Sequence, residues 1–212
     1  MTPKQTYYKL QADTIIQNLK KRQIAGYYCV NKEDAVKTAM SFTKSGETIS
    51  FGGSMTLVES GAIEALKARN DIRLIDRSLA KTPEEIKQAY RDSFSADTYF
   101  MSSNAITLDG QLVNIDGNGN RVAALIYGPN QVVILAGMNK IVPDVETGVQ
   151  RVRNFATPPN CVRLNKQTPC AATGTCANCL SKDCICNQIV ITRRSGTPDR
   201  IKVILIGEEL GY

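Results

Sequence analysis

The sequence predicts an α/β fold: an open, mostly parallel sheet with helices on both faces, plus a cysteine-rich excursion, residues 161–187, placed before a C-terminal β-hairpin. Three observations carry this expectation. Short apolar runs alternate with helix-period stretches through the first hundred residues, the pattern of repeated β-α units. The run "QVVILAG" at 131–137 has no polar alternate positions, as a strand covered on both faces requires. Hydrophobic residues make up 42% of the 212 residues, enough to enclose one sizeable core in a single domain spanning 1–212.

The elements follow in order. From about Thr6 to Gln23, the apolar positions Tyr8, Ala12, Ile15, Ile16 and Leu19 recur at helical spacing among charges, which makes an amphipathic helix. "GYYCV" (26–30) reads as a short buried strand. Asn31, with Glu33 and Asp34 behind it, caps a helix running to about Phe42. A strand then ends at Phe51 and passes through two glycines into a helix whose Val58, Ala62 and Leu66 share a face. "IRLID" (72–76) is a further parallel strand, and Thr82, Pro83 and Glu85 open a helix to about Phe94. Strands are expected near 99–101, 105–108 and 112–115, with Asp109-Gly110 as a hairpin turn between the last two. "DGNGNR" (116–121) leads into a short apolar helix. After the buried strand at 131–137, Pro143 opens a helix to about Asn154, which "ATPPN" ends. "QIVITRR" and "RIKVILIG", joined by "SGTPD", form the expected hairpin. No internal repeat or low-complexity tract is present.

Composition excludes whole classes of function. The chain contains no histidine, so a Ser-His-Asp triad, a Cys2His2 finger and a Rieske centre are ruled out, and acid or base chemistry falls to Glu, Asp, Lys, Tyr or Cys. The formal charge is +6, but Lys and Arg are dispersed and aromatics are 6%, which argues against a nucleic-acid surface and toward small anions as partners. The N-terminus has no secretory apolar core, and no apolar run reaches membrane-spanning length. A cytoplasmic protein without membrane association is expected.

Two glycine-rich turns are candidate anion sites. Gly52, Gly53 and Ser54 stand between a strand and a helix N-terminus, where free N–H groups and the helix dipole favour a phosphate or carboxylate; an ordinary β-α turn capped by Ser54 is the plain alternative. Glu59, one turn on, reaches a ligand or sits at the rim. Asp116, Gly117, Asn118, Gly119, Asn120 and Arg121 supply a second amide-rich loop, with Arg121 as a bidentate donor. Both turns are expected at the carboxyl ends of parallel strands, facing one crevice that Asn104 and Asn114 also line.

Six of the seven cysteines fall between Cys161 and Cys186. The Cys176-x-x-Cys179 pair is a chelating spacing for zinc or an iron–sulfur cluster, with further ligands from Cys170 and from Cys184 or Cys186. A disulfide-bonded or metal-free segment remains the alternative. Cys29, inside a strand, reads as a core thiol.

"FGGSMTLVESG", "SSNAITLDGQLVNIDGNGNRVAALIYGPNQVVILAGMNKIV" and "PCAATGTCANCLSKDCICNQIVI" together resemble the LUD-domain proteins, named for lactate utilization, over residues 6–212. That family resembles the superfamily of ribose-5-phosphate isomerase, glucosamine-6-phosphate deaminase and CoA transferases. The resemblance implies a site for organic-acid, phosphorylated or CoA-type ligands at Gly52–Ser54 and Asp116–Arg121. It also implies a role in oxidising lactate beside iron–sulfur redox subunits, or, alternatively, sugar-phosphate or CoA-ester chemistry or a non-catalytic partner role. No catalytic glutamate of the CoA transferases and no acid–base set of the isomerase matches a residue here.

Overall fold

A computed structural model describes residues 2–212. Helix α1 (Pro3–Lys21) opens with a capping box: the Thr2 hydroxyl accepts from the Gln5 N–H while the Gln5 side chain accepts from the Thr2 N–H. The elements that follow are β1 (Ala25–Cys29), α2 (Lys32–Ser41), β2 (Thr48–Phe51), α3 (Met55–Glu59), α4 (Ala62–Lys67), β3 (Arg73–Ile75), α5 (Pro83–Ser93) and β4 (Thr98–Met101). Next come β5 (Ala105–Thr107), β6 (Leu112–Asp116), α6 (Asn120–Ile126), β7 (Gln131–Gly137), β8 (Ile141–Val142) and α7 (Val145–Arg151). The chain ends with α8 (Thr157–Arg163), α9 (Pro169–Thr173), β9 (Gln188–Thr192) and β10 (Ile201–Ile206).

The main sheet has the order β1-β10-β7-β4-β2-β3, and every pairing in it is parallel. Strand alternation sends Val132, Ile134 and Ala136 of β7 to one face, where they meet Ala12, Ile15 and Leu19 of α1 and Ala124 and Leu125 of α6. Val133 and Leu135 go to the other face, against Ala35 and Ala39 of α2, Leu57 of α3 and Leu66 of α4. The α/β class with helices on both faces is therefore the observed one.

Two expectations are corrected. Strands β9 and β10 do not form a hairpin: β9 pairs antiparallel with β6 in a second, four-stranded sheet of order β8-β5-β6-β9, while β10 lies inside the main sheet between β1 and β7. The physical reason is burial. Ile201, Val203, Ile204, Leu205 and Ile206 are all buried, so β10 needs cover on both faces, which an edge hairpin lacks. The second correction concerns "ATPPN", which does not end the helical run. After α7 the backbone widens into a π turn at Val152–Ala156 and re-enters α-helix at Thr157. Pro158 and Pro159 then occupy a first helical turn, where a missing N–H costs nothing.

The Asp109-Gly110 hairpin joins β5 to β6 as expected. Together with α7 and the π turn, the small sheet encloses its own apolar cluster of Ala105, Val113, Ile115, Val142, Val152 and Ala156. The segments that leave β2, β4 and β7 all start at the carboxyl ends of parallel strands, the first leading into α3 and the other two into strands of the small sheet.

Candidate functional site

The two glycine turns share one hollow of about 540 Å3. From the first come Gly53 and Ser54; from the second, Asp116, Gly117, Asn118, Asn120 and Arg121. Asn104 also lines it, whereas Asn114, Gly52, Glu59 and Gly119 stay outside. The second turn follows β6, which pairs antiparallel with both its neighbours in the small sheet, so only the first turn ends a parallel strand, contrary to expectation.

The local geometry assigns these residues unequal duties. In the first turn the Gly52 N–H donates to the Phe100 carbonyl and the Ser54 N–H to the Gly52 carbonyl, at 2.8 and 2.9 Å. Ser54 takes the N-cap position without capping, so its hydroxyl is free to face the hollow. The Arg77 guanidinium lies directly over Gly53, and its Nη1 donates to the Tyr90 hydroxyl at 3.4 Å.

The second turn is folded on Asp116, whose Oδ1 accepts from the N–H groups of Asn118 and Gly119 at 3.1 and 2.8 Å. Those two amides are thereby withdrawn from any ligand. Gly119 has φ +82°, a left-handed conformation that glycine adopts without a Cβ clash, and it lets the loop turn into α6.

Arg121 is a clip rather than an exposed donor. Its Nε donates to Asp116 Oδ2 at 3.0 Å, Nη1 to the Ser102 carbonyl and Asn114 Oδ1 at 3.1 and 2.6 Å, and Nη2 to Asn104 Oδ1 and the Ile115 carbonyl at 2.9 and 3.0 Å. All five guanidinium N–H bonds are spent inside the protein. The expected bidentate contact to an anion has no donor left to make it. Asn104 and Asn114 are taken up in the same network. Glu59 holds the C-terminal segment, its Oε2 accepting from the Gly211 N–H at 2.6 Å.

The positive charge of the hollow comes largely from residues the sequence reading did not single out. Arg77, Lys140, Arg163, Lys166 and Lys182 join Arg121 in lining it, against the carboxylates Asp116 and Asp183. With Arg121 and Asp116 paired to each other, a surplus of cations remains. Lys140, on the short 3-10 turn after β7, is 3% exposed, and its Nζ donates to Thr56 Oγ1 at 2.8 Å and Ser102 Oγ at 3.2 Å. Burial, reinforced by the nearby guanidiniums of Arg151 and Arg121, pulls its pKa down to about 7. Its place just beyond the carboxyl end of a fully buried strand was the one available signal, because ligands collect there in open α/β sheets. Arg163, Lys166 and Lys182 carried none.

The cysteine segment forms another wall. Asn187 ties it to the second turn, donating its N–H to the Asp116 carbonyl and its side-chain amide to the Gly117 carbonyl at 3.1 and 3.0 Å. Cys184 lines the hollow. Cys170 lies 3.7 Å from Cys161, sulfur to sulfur, both thiols being buried. Burial pushes the Cys161 thiol up to about 11. Cys179 goes the other way, lowered chiefly by the Ser181 hydroxyl at 3.4 Å. Among the described residues no three Cys, Asp or Glu side chains stand together as ligands for one metal ion.

Strand ends of a parallel α/β sheet and an inserted small sheet thus enclose a cationic hollow. The family model of the LUD domain matches residues 12–206, and the chain belongs to that family. No curated protein matches the sequence. Among solved structures it is similar to a DUF162 family protein from Deinococcus radiodurans, with TM-score 0.48 and 15% identity, covering 95% of this chain and 98% of that one. It is also similar to eIF2B delta from Chaetomium thermophilum, with TM-score 0.34, 19% identity and coverage of 57% and 51%. A third, a D-ribose-5-phosphate isomerase in complex with phospho-erythronic acid, has TM-score 0.32, 14% identity and coverage of 52% and 53%.

Proposed function

We propose that the hollow binds a small anion, an organic acid or a phosphorylated or CoA-type compound. Through it the protein serves organic-acid oxidation of the lactate type, beside iron–sulfur redox subunits. The supporting observation is the charge of the hollow: beyond the internally paired Arg121 and the buried Lys140, four cationic side chains, Arg77, Arg163, Lys166 and Lys182, face a space with a single further carboxylate, Asp183. Asp183 is itself engaged by the Gln167 N–H at 3.0 Å. An anion entering this space is attracted by side chains that form no ion pair among the described residues. Family membership supports the organic-acid assignment, and the solvent-facing Ser54 hydroxyl beside Arg77 supplies a neutral donor to fix orientation.

Thermal melting with lactate, pyruvate, inorganic phosphate, ribose 5-phosphate and acetyl-CoA tests the proposal. A ligand at a hundred times its Kd adds about 2.7 kcal/mol, or roughly 5–11 °C for a chain of this size. The gain should shrink with added salt and in an Arg77→Ala/Lys166→Ala double variant. Melting that no anion shifts would refute anion binding, and an anion that stabilises the double variant as well as the parent would move the site elsewhere.

A further inference from the structure

Lys140 has a property that anion binding alone leaves unused. The Thr56 hydroxyl donates to the Leu210 carbonyl at 3.1 Å and the Ser102 hydroxyl to the Ser103 carbonyl at 3.3 Å. Both hydroxyl protons are thus engaged, and both oxygens meet Lys140 Nζ as acceptors, at 2.8 and 3.2 Å. Two acceptors satisfy the two N–H bonds of a neutral amine and leave its lone pair unengaged. A charged ammonium would carry a third N–H with no partner among the described residues. No ion pair of the described residues includes Lys140.

The charged groups facing Lys140 are the guanidiniums of Arg151 and Arg121, which oppose its protonation, and the carboxylate of Glu59, which favours it from a position already fastened to the Gly211 N–H. A lysine with pKa about 7 is neutral in a large fraction of molecules near neutral pH, where ordinary lysines are almost wholly charged.

We infer that Lys140 is a carbonyl-capturing amine, forming an imine with a small aldehyde or ketone that carries a carboxylate or phosphate held by the cationic wall of the hollow. This rests on the anion-binding reading. The Nζ lone pair attacks the carbonyl carbon, a C–N bond forms, and the carbonyl oxygen takes up a proton to give the carbinolamine. Loss of that oxygen as water, with the remaining N–H proton, leaves the C=N bond. Amine and carbonyl become imine and water with no change of oxidation state. Thr56 and Ser102, both within hydrogen-bond reach of Nζ, are placed to relay the proton between nitrogen and oxygen.

Reductive trapping tests this. The protein is incubated at pH 7 with glyoxylate, or separately with glyceraldehyde 3-phosphate, in the presence of cyanoborohydride, and the reduced adduct is located by peptide mass mapping. The expected result is one adduct, on Lys140, formed roughly tenfold or more faster than on any other lysine. Its rate should be half-maximal near pH 7, be suppressed by excess inorganic phosphate, and vanish in Lys140→Met. The two probes separate a carboxylate-bearing from a phosphate-bearing carbonyl compound. If Lys140→Met does not fold, the adduct map and phosphate protection of the parent protein decide alone. Labelling spread over exposed lysines with Lys140 unmodified overturns the inference. Glycolate, which has the carboxylate but no carbonyl, separates the two readings: melting raised by glycolate with no adduct from glyoxylate sinks the imine and leaves the anion site standing. No shift by any anion, together with no adduct, sinks both.

Discussion

Replacing Arg121 with alanine distinguishes a structural clip from a ligand donor. The substitution takes a donor from the Ser102 and Ile115 carbonyls and from the Asn104 and Asn114 side-chain oxygens, the last two keeping only the Ile115 and Asn104 N–H groups, and leaves the Asp116 carboxylate without its cation. The Arg121 and Asp116 side chains are only 15% and 10% exposed, so water reaches these groups poorly. A buried acceptor left unpaired costs about 1–3 kcal/mol and a broken buried ion pair about 3–5 kcal/mol, and the two overlap here. A net loss of about 3–5 kcal/mol is expected, against a total of about 5–15 kcal/mol for a typical domain. The melting temperature should fall by about 6–20 °C. Urea denaturation followed by circular dichroism should show a lower midpoint with unchanged slope. Arg121→Lys, with a point charge in place of a five-pronged fork, should recover less than half of the loss. Arg121→Ala protein that melts like the parent yet no longer responds to anions would refute the clip and restore Arg121 as a direct ligand donor.

Three further outcomes are expected. Lys140 has a folded pKa of about 7 against an unfolded value near 10.5, so the unfolded chain holds the extra proton between those limits and the lysine's penalty grows as pH falls from 10.5 to 7. Relative to Lys140→Met, the parent should therefore gain about 3 kcal/mol between pH 7 and pH 10, and a pH-independent difference in paired denaturation curves would contradict the burial argument. A Cβ at Gly137 would meet the Glu208 carbonyl oxygen and the Leu210 nitrogen, each at 2.7 Å, so Gly137→Ala should cost about 1–3 kcal/mol and speed proteolysis within 208–212, read by mass spectrometry of the products. With a thiol reagent at pH 7, Cys179 should react first and Cys161 last; Cys161 labelling before Cys179 would contradict both the Ser181 contact and the burial.

Elements announced by local chemistry were readable from the residues alone. Asn31 and Thr82 accept the N–H bonds that start α2 and α5, Asp109-Gly110 turns the β5–β6 hairpin, and β7 is buried on both faces as its uniform apolarity requires. Partner choice was not readable. Strands β9 and β10 look like neighbours because "SGTPD" is a turn signal, yet the apolarity of "IKVILI" matches that of "QVVILAG", and two strands needing cover on both faces lie side by side. The prolines of "ATPPN" read as a stop because sequence does not reveal that a π turn resets the helix before them.

The hollow divides in the same way. Glycines mark turns, so both bends were visible. The number of partners an arginine already has is a tertiary fact, and for that reason Arg121 passed for a free donor. Lys140, Arg77 and Lys166 are single cations with no period or motif, and only the fold gathers them.

The place of β10 in the main sheet has a consequence for how the chain is made. Strand β1 is synthesised well before β7, but the two do not touch except through β10, which follows every other strand of the two sheets in chain order. Until then the growing polypeptide can pair only β7, β4, β2 and β3, with β1 left without a neighbour, and α1 has only part of the surface it packs on. Closure must wait until β10 has emerged, which leaves apolar strand edges open to chaperones, or to a neighbouring nascent chain, while the preceding strands are made.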